Sequence, residues 1–404
     1  MTSKTTIRCI AILIFMALPV CSLTASDGGL ITDNNASYEG VGDGTELKYS
    51  GTLMPWFSAS LGKSADLYIS AKATAQYENK EWAIVPELLR TMITGRIGEN
   101  GTLSAGRMNY ADPLGFVASG LFDGLRYQTD FENGSVLGIG AWYTGFLYKK
   151  NVNITMTSED LAVYEEPLDY GDFFNTYFAP RRLVAAVEWG HPALAESVRF
   201  NLALVGQFDL SGNDILYHSQ YLIVKAGIPV QNFFFELGAC GELVEMENRY
   251  QVSFAGELGI AWMLPTRIND RLLLLGRYSG GEVNDTLSAF VPVTTEPQGS
   301  IIKEKLSGLS LIKLDYTARL HQTFSISLKS TYFILTDLKT YTGLPGGRDG
   351  YFLGNEFYGQ VVWSPVSDIR ITGGGGVFLP SLGNADKEGD IQWRVDLGVL
   401  LVLF

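Results

Sequence analysis

The sequence predicts an all-β fold: a transmembrane, antiparallel, up-and-down β-barrel of about 18 strands, with 16 as the alternative count. Three observations carry this prediction. Apolar and polar residues alternate with period two along most of the chain. The connections between these stretches alternate between short turns and mostly longer loops. Aromatic residues gather at both ends of the apolar faces, as amphipathic rings do at lipid headgroups.

The chain opens with Lys4 and Arg8 ahead of an apolar run from Cys9 to Val20, and the small residues Ser22, Thr24, Ala25 and Ser26 follow. A run this short cannot span a bilayer core. Residues 1–25 therefore read as a secretory signal peptide and 26–404 as an outer-membrane β-barrel. Lys and Arg number 30 against 43 Asp and Glu, and the signal removes only bases, so the mature chain is strongly acidic. That balance argues against nucleic acid as a partner. Cys9 and Cys21 leave with the signal, and Cys240 alone cannot form an internal disulfide. Beyond the signal no apolar stretch suits a spanning helix, yet 46% of the chain is hydrophobic. A barrel reconciles the two, because it spreads apolar surface over alternate residues.

Parity places the first strand. The chain ends on a strand that descends after the loop 380–390, so the strand at 51–61 also descends and an ascending one must precede it, loosely within 28–41. Both termini then lie on the periplasmic side. The next strand, 66–78, has apolar Leu67, Ile69, Ala71, Ala73, Ala75 and Tyr77 against Ser70, Lys72, Thr74 and Gln76. Strands follow near 87–97, 102–108, 122–131, 135–146 and 181–190. The strand 197–209 sets Phe200, Leu202, Leu204 and Phe208 against Arg199, Asn201, Gln207 and Asp209. Then come 218–228, 233–244, 251–264 and 271–280. The strand 309–320 sets Ile312, Leu314 and Tyr316 against Lys313, Asp315 and Thr317, and 324–335 repeats the pattern. The last three are 355–363, 369–379 and 391–403. Short turns such as Gly98-Glu99-Asn100-Gly101 and Asn133-Gly134 carry turn chemistry. Outer loops are expected at 109–121, 147–180, 281–308 and 336–354.

A soluble β-sandwich also alternates, but two features oppose it. Trp189, Trp262 and Trp363 fall on the apolar face just before short turns, with Tyr77, Tyr143, Phe208, Tyr278 and Tyr332 at the opposite strand ends. Charges on the other face, including Arg126, Glu236, Lys313 and Arg319, would be costly in a sandwich core, whereas in a barrel they line water.

The last strand, Trp393 to Phe404, has a polar residue, then Gly398, alternating hydrophobics and a terminal aromatic. It resembles the C-terminal signal read by barrel-assembly machinery, which makes Gly398 and Phe404 its expected elements. Three further blocks resemble the alginate-export porin family: Leu53-Met54-Pro55-Trp56 leading into the Leu67–Tyr77 strand; Leu103-Ser104-Ala105-Gly106-Arg107 followed by Asp112, Gly115 and Phe122-Asp123-Gly124-Leu125-Arg126-Tyr127; and Leu353-Gly354-Asn355-Glu356 leading to Gly375-Gly376-Val377-Phe378-Leu379-Pro380. The resemblance touches both ends of the chain and implies an 18-stranded monomeric barrel with a basic-lined pore. The chain departs from it in being short and in its acidic loop, where Asp160, Glu165, Glu166, Asp169 and Asp172 cluster.

Alternation sends more basic than acidic residues inward. The expected pore-lining candidates are Arg90, Arg126, Arg182, Arg277, Lys313, Arg319 and Arg394. Cross-strand pairing could neutralise each of them. His191, His218 and His321 are the only histidines, and none stands where a nucleophile and base would meet, so the chain is not expected to be an enzyme. No cluster has metal-ligand spacing, and no cofactor is expected. The loop 147–180 is rich in aromatic residues, including Tyr164, Tyr170, Phe173, Phe174, Tyr177 and Phe178. It is expected either to fold inward and narrow a pore or to bind glycan or host ligands at the surface. The barrel is read as an outer-membrane channel (porin) for hydrophilic, anionic or saccharide solutes, ahead of the compatible alternative of an adhesin or surface antigen whose outer loops bind host or glycan ligands.

Overall fold

A computed structural model describes residues 23–213, 215–246, 249–282, 287–337, 350–386 and 388–403. The expected signal peptide, apart from its last residues, lies outside them, as does Phe404. The strands are β1 (Leu23–Val41), β2 (Gly44–Leu61), β3 (Ala65–Glu78), β4 (Glu81–Ile97), β5 (Gly101–Ala111), β6 (Ser119–Asp130), β7 (Val136–Tyr143), β8 (Arg182–Leu194), β9 (Val198–Asp209), β10 (Tyr217–Val230), β11 (Phe233–Met246), β12 (Arg249–Met263), β13 (Arg271–Ser279), β14 (Leu309–His321), β15 (Phe324–Leu335), β16 (Phe352–Val366), β17 (Ile369–Leu379) and β18 (Gln392–Leu403). They form one 18-stranded antiparallel sheet. It closes because β1 pairs with both β2 and β18. The count of 18 therefore stands and 16 falls.

Two connections at the long-loop end are tighter than the sequence suggests. β1 turns into β2 through Gly42-Asp43, with Gly42 at φ +54°. β3 turns into β4 through Asn79 and Lys80, both at positive φ (52° and 65°), a two-residue hairpin without glycine. These turns let β2 and β4 begin well before residues 51 and 87.

The outer face carries Leu204 (59% exposed), Leu314 (45%) and Leu397 (57%). Rings ornament both rims. Phe233 stacks on Trp262 at 5.8 Å near the short turns, and Tyr77 packs on Trp82 at 5.2 Å near the long loops. Leu314→Arg places a cation at mid-strand on this face and is expected to cost about 2–4 kcal/mol in folding titrations into lipid vesicles. Thr317→Arg, on the inner face, is expected to cost far less. Equal tolerance of the two would refute the assignment of faces.

Gly398 has a structural reason to be glycine where the barrel closes. A Cβ there would meet Thr372 Oγ1 at 2.4 Å and Asn35 Oδ1 at 2.6 Å, the side chains facing it from β17 and β1.

Part of the interior is not a water-filled lumen. The tip of the β5–β6 hairpin, expected as an outer loop, turns inward at Gly106 and Gly120, whose φ values of +114° and +136° suit glycine. Asp112 holds the tip by accepting hydrogen bonds from the N–H groups of Leu114, Gly115, Val117 and Ala118 at 2.8–3.0 Å. Burial pushes its carboxyl up despite these four donors. Leu114 reaches Gly238 on β11, and Phe116 lies under the Arg277 guanidinium of β13 at 4.6 Å. These contacts cross the barrel. Around them Tyr110, Phe122, Trp142, Val184, Val205, Ile223 and Phe290 form one buried apolar cluster. Val205 and Ile223 point inward from strands whose opposite face is exposed and apolar, so this part of the wall is apolar on both sides.

Candidate functional site

Two long loops join this packed interior. The first, 144–181, carries helices α1 (Lys149–Val152), α2 (Ser158–Glu165) and α3 (Phe173–Tyr177). Thr157 and Asp160 form a capping box at the start of α2, each side chain bonding the other's backbone N–H. Asp160 also receives Arg182 Nη2 at 2.6 Å, while Arg182 Nη1 pairs with Asp209 at 3.2 Å and donates to the Tyr217 carbonyl at 3.1 Å. This guanidinium is 1% exposed.

The second loop, in its described part 287–308, runs across the barrel on a series of fixed points. Val291 N–H donates to Glu242 at 3.0 Å and its carbonyl accepts from Tyr221 Oη at 2.6 Å. Val293 N–H reaches the Val117 carbonyl of the β5–β6 tip at 2.7 Å. Thr295 binds Asn153 and Thr155 of the first loop. Gln298 accepts from Arg277 at 2.8 Å. Glu356 on β16 then accepts the N–H groups of Ser300, Ile301 and Ile302 at 2.7–3.2 Å. Tip and loops together fill the interior beside β5 to β14, and Ile302 of the second loop also packs against Phe333, Leu353 and Phe378 near the long-loop ends of β15 to β17.

The opposite side stays open. A cavity of about 770 Å³ runs between the loops and the inner faces of β1–β3 and β15–β18. Its charged lining is mainly basic, with Lys48, Lys150, Lys303, Lys329 and Arg394 against Glu78 and Asp396. Lys48 is compensated by Glu39 at 2.5 Å, Glu78 at 3.0 Å and Glu46 at 3.3 Å. Arg394 is compensated by Asp396 at 2.6 Å, which also accepts from Tyr358 Oη at 2.7 Å. Lys150 sits over the Tyr164 ring at 3.9 Å, and burial pulls Lys149 and Lys150 below the usual lysine range. None of Lys150, Lys303 and Lys329 forms an ion pair with a described residue.

The seven residues expected to line a pore therefore separate. Arg394 lines the open cavity. Arg319, near the short turns, donates to the Gln322 carbonyl of its own turn at 2.7 Å. Arg90 lies over the Tyr68 ring at 5.0 Å, and Lys313 points inward between the exposed Ile312 and Leu314. Arg126 pairs with Glu188 at 2.9 Å, Arg277 with Glu257 at 2.9 Å, and Arg182 is enclosed beneath the first loop. Carboxylates neutralise Arg126, Arg182, Arg277 and Arg394, and the loops cover part of the interior that these residues face. Sequence reasoning missed Lys48, Lys150, Lys303 and Lys329. Lys48 and Lys329 follow their strands' alternation, but nothing in the sequence marks which side of the barrel stays open. Among the described residues no group of three His, Cys, Asp or Glu could hold a metal ion.

No family model matches the chain and no curated protein does, so the resemblance to the alginate-export porins gains nothing from either comparison. Solved structures do match. The Pseudomonas aeruginosa protein OccK2 (OpdF), in complex with glucuronate, aligns with a TM-score of 0.64 at 11% identity, covering 95% of this chain and 99% of that one. OccK5 (OpdH) of the same organism gives 0.62 at 8% identity over 95% and 99%. The P. aeruginosa outer membrane protein OprD gives 0.58 at 13% identity over 95% and 96%. At such identities the likeness is one of fold: this chain has the closed 18-strand antiparallel barrel of the OprD and Occ porins.

Proposed function

We propose that the chain is an outer-membrane channel for hydrophilic solutes, with a preference for small anionic ones such as sugar acids. The observation that carries the proposal is the open cavity: a polar space beside a packed plug, with Lys303 and Lys329 facing it unpaired by any described carboxylate. Fixed charges on a low-dielectric wall act on a passing ion far more strongly than charges on exposed loops, which salt screens within about 8 Å. Tyr164 and Tyr358 beside these bases offer rings on which a sugar can stack. The glucuronate bound by OccK2 is a solute of this chemistry. The adhesin reading draws no comparable support, since much of the aromatic loop is turned into the barrel and its wall. In this reading both termini are periplasmic, the barrel is a monomer, and assembly machinery reads the last strand through Gly398 and Phe404.

Reversal potentials in a salt gradient across planar bilayers test the proposal. The intact channel is expected to favour anions, and Lys303→Gln with Lys329→Gln to lose that preference while unit conductance stays similar. Cation preference in both proteins would overturn the anionic part of the reading. Absence of any channel would overturn the whole.

A further inference from the structure

The wall of the barrel is split beside β4. Its lower part, Thr91–Ile97, pairs with β5, and the last pair on that side is Thr91 with Arg107. Above this point β5 leaves the wall, bending inward at Gly106, while β4 continues to Glu81 bonded only to β3. Alternate residues of β4 there turn their main-chain groups toward the missing neighbour. Side chains take them instead. Tyr170 Oη donates to the Ile84 carbonyl at 3.0 Å and accepts from its N–H at 2.8 Å. Tyr177 Oη donates to the Pro86 carbonyl at 2.7 Å, and Pro86 has no N–H to satisfy. Arg107 Nη1 donates to the Leu88 carbonyl at 2.5 Å.

Arg107 and its partner Asp123, at 2.7 Å, share the strand parity of Leu103 and Leu125, which are 37% and 56% exposed on the outer face. Yet Arg107 is 6% exposed. It is enclosed by β4 on one side and on the other by the loop 144–181, whose Phe146 carbonyl it also binds at 3.0 Å. An ion pair on the lipid side of the sheet is thus roofed by this loop. Behind it Val85, Tyr148 and Tyr177 pack as a small core that seals the split. The roof carries apolar surface outward: Phe146 is 61% exposed, Tyr170 58% and Phe174 77%. Phe146 meets the girdle residue Tyr143 edge-on at 5.0 Å, and Tyr170 is anchored at Ile84, itself 62% exposed and two residues from Trp82. The patch therefore continues the lipid-facing girdle across the split.

We infer that the loop 144–181 forms part of the membrane-facing wall, and that Phe146, Tyr170 and Phe174 lie against the acyl chains and headgroups of the leaflet at the long-loop end. The partner is lipid, held along one aromatic rim. The inference rests on the membrane-spanning reading above.

Spin labels placed singly in a Cys240→Ala background and reconstituted in vesicles test it. Accessibility to oxygen, which partitions into lipid, is compared with accessibility to a water-soluble nickel chelate at Phe174→Cys, at Leu204→Cys on the barrel's outer face, and at exposed Glu159→Cys on the same loop. The expected oxygen-to-nickel ratio at 174 matches that at 204 and exceeds that at 159 severalfold. A ratio at 174 equal to that at 159, with 204 still in lipid, overturns the inference alone. A water-like ratio at 204 as well overturns the membrane-spanning reading on which it rests. Phe146→Cys provides the second position, and a water-like ratio there also counts against the inference.

Discussion

Arg182→Met is expected to destabilise the folded barrel by about 3–5 kcal/mol, the cost of removing one partner from a buried ion pair. The guanidinium lies 2.6 Å from Asp160 and 3.2 Å from Asp209, with all three groups almost wholly enclosed. Its loss leaves two carboxylates facing each other without a cation and an unfilled acceptor at the Tyr217 carbonyl. Arg182→Lys should recover little, because a point charge cannot reproduce a fork that serves two acids and a carbonyl together. Arg182→Met combined with Asp160→Asn should recover part of the loss, since one orphaned charge is then removed. Urea unfolding in lipid vesicles measures all three. A change within about 0.5 kcal/mol for Arg182→Met, the range of an ordinary surface substitution, would show that the site is wet and that the first loop does not enclose it.

Joining Gly281 directly to Gly308 should raise unit conductance severalfold. The excised segment crosses the barrel on anchors at Glu242, Arg277 and Glu356 and holds Lys303 at the edge of the open cavity. Without it the channel widens toward β13 and β14. Glu356→Gln is expected to give a smaller rise, because it weakens three backbone bonds to a carboxylate but leaves the other anchors in place. Single-channel recording on heat-modifiable, folded protein measures both. Unchanged conductance after excision would mean that the bottleneck is set elsewhere, at the β5–β6 tip or the first loop.

The strands were legible because each presents an exposed apolar outer face. Leu202 and Leu204 or Ile312 and Leu314 announce that face by period two whatever lies behind them. Even the first strand followed from parity, although Asp33, Asn34 and Asn35 give it little pattern of its own. The interior was legible only in part. Alternation states that Arg182 and Arg394 point inward but not what they meet there, and the loops decide that. Leu114, Phe116, Phe290 and Val293 have no periodicity, so nothing in their spacing tells a loop that waves in solvent from one that packs across a barrel. One sign was present. In Leu183-Val184-Ala185-Ala186-Val187 both faces of the strand are apolar, which fits a wall with lipid outside and a packed core within.

The division of the interior also divides the evolutionary freedom of the wall. Inward residues on β5 to β12, such as Val205 and Ile223, answer to a close-packed core, where a change of a single methylene is felt. Inward residues that line the open cavity on β1 to β3 and β15 to β18 answer mainly to water, whereas Phe333 and Phe378, nearer the long loops on β15 and β17, pack with Ile302 in a second buried cluster. Substitutions at Lys329, Gln360 or Thr372 can retune what passes without disturbing what holds the molecule together. Under the channel reading, selectivity can be retuned at cavity-lining positions on seven strands, while the packed strands and their plug keep the constraints of an ordinary globular core.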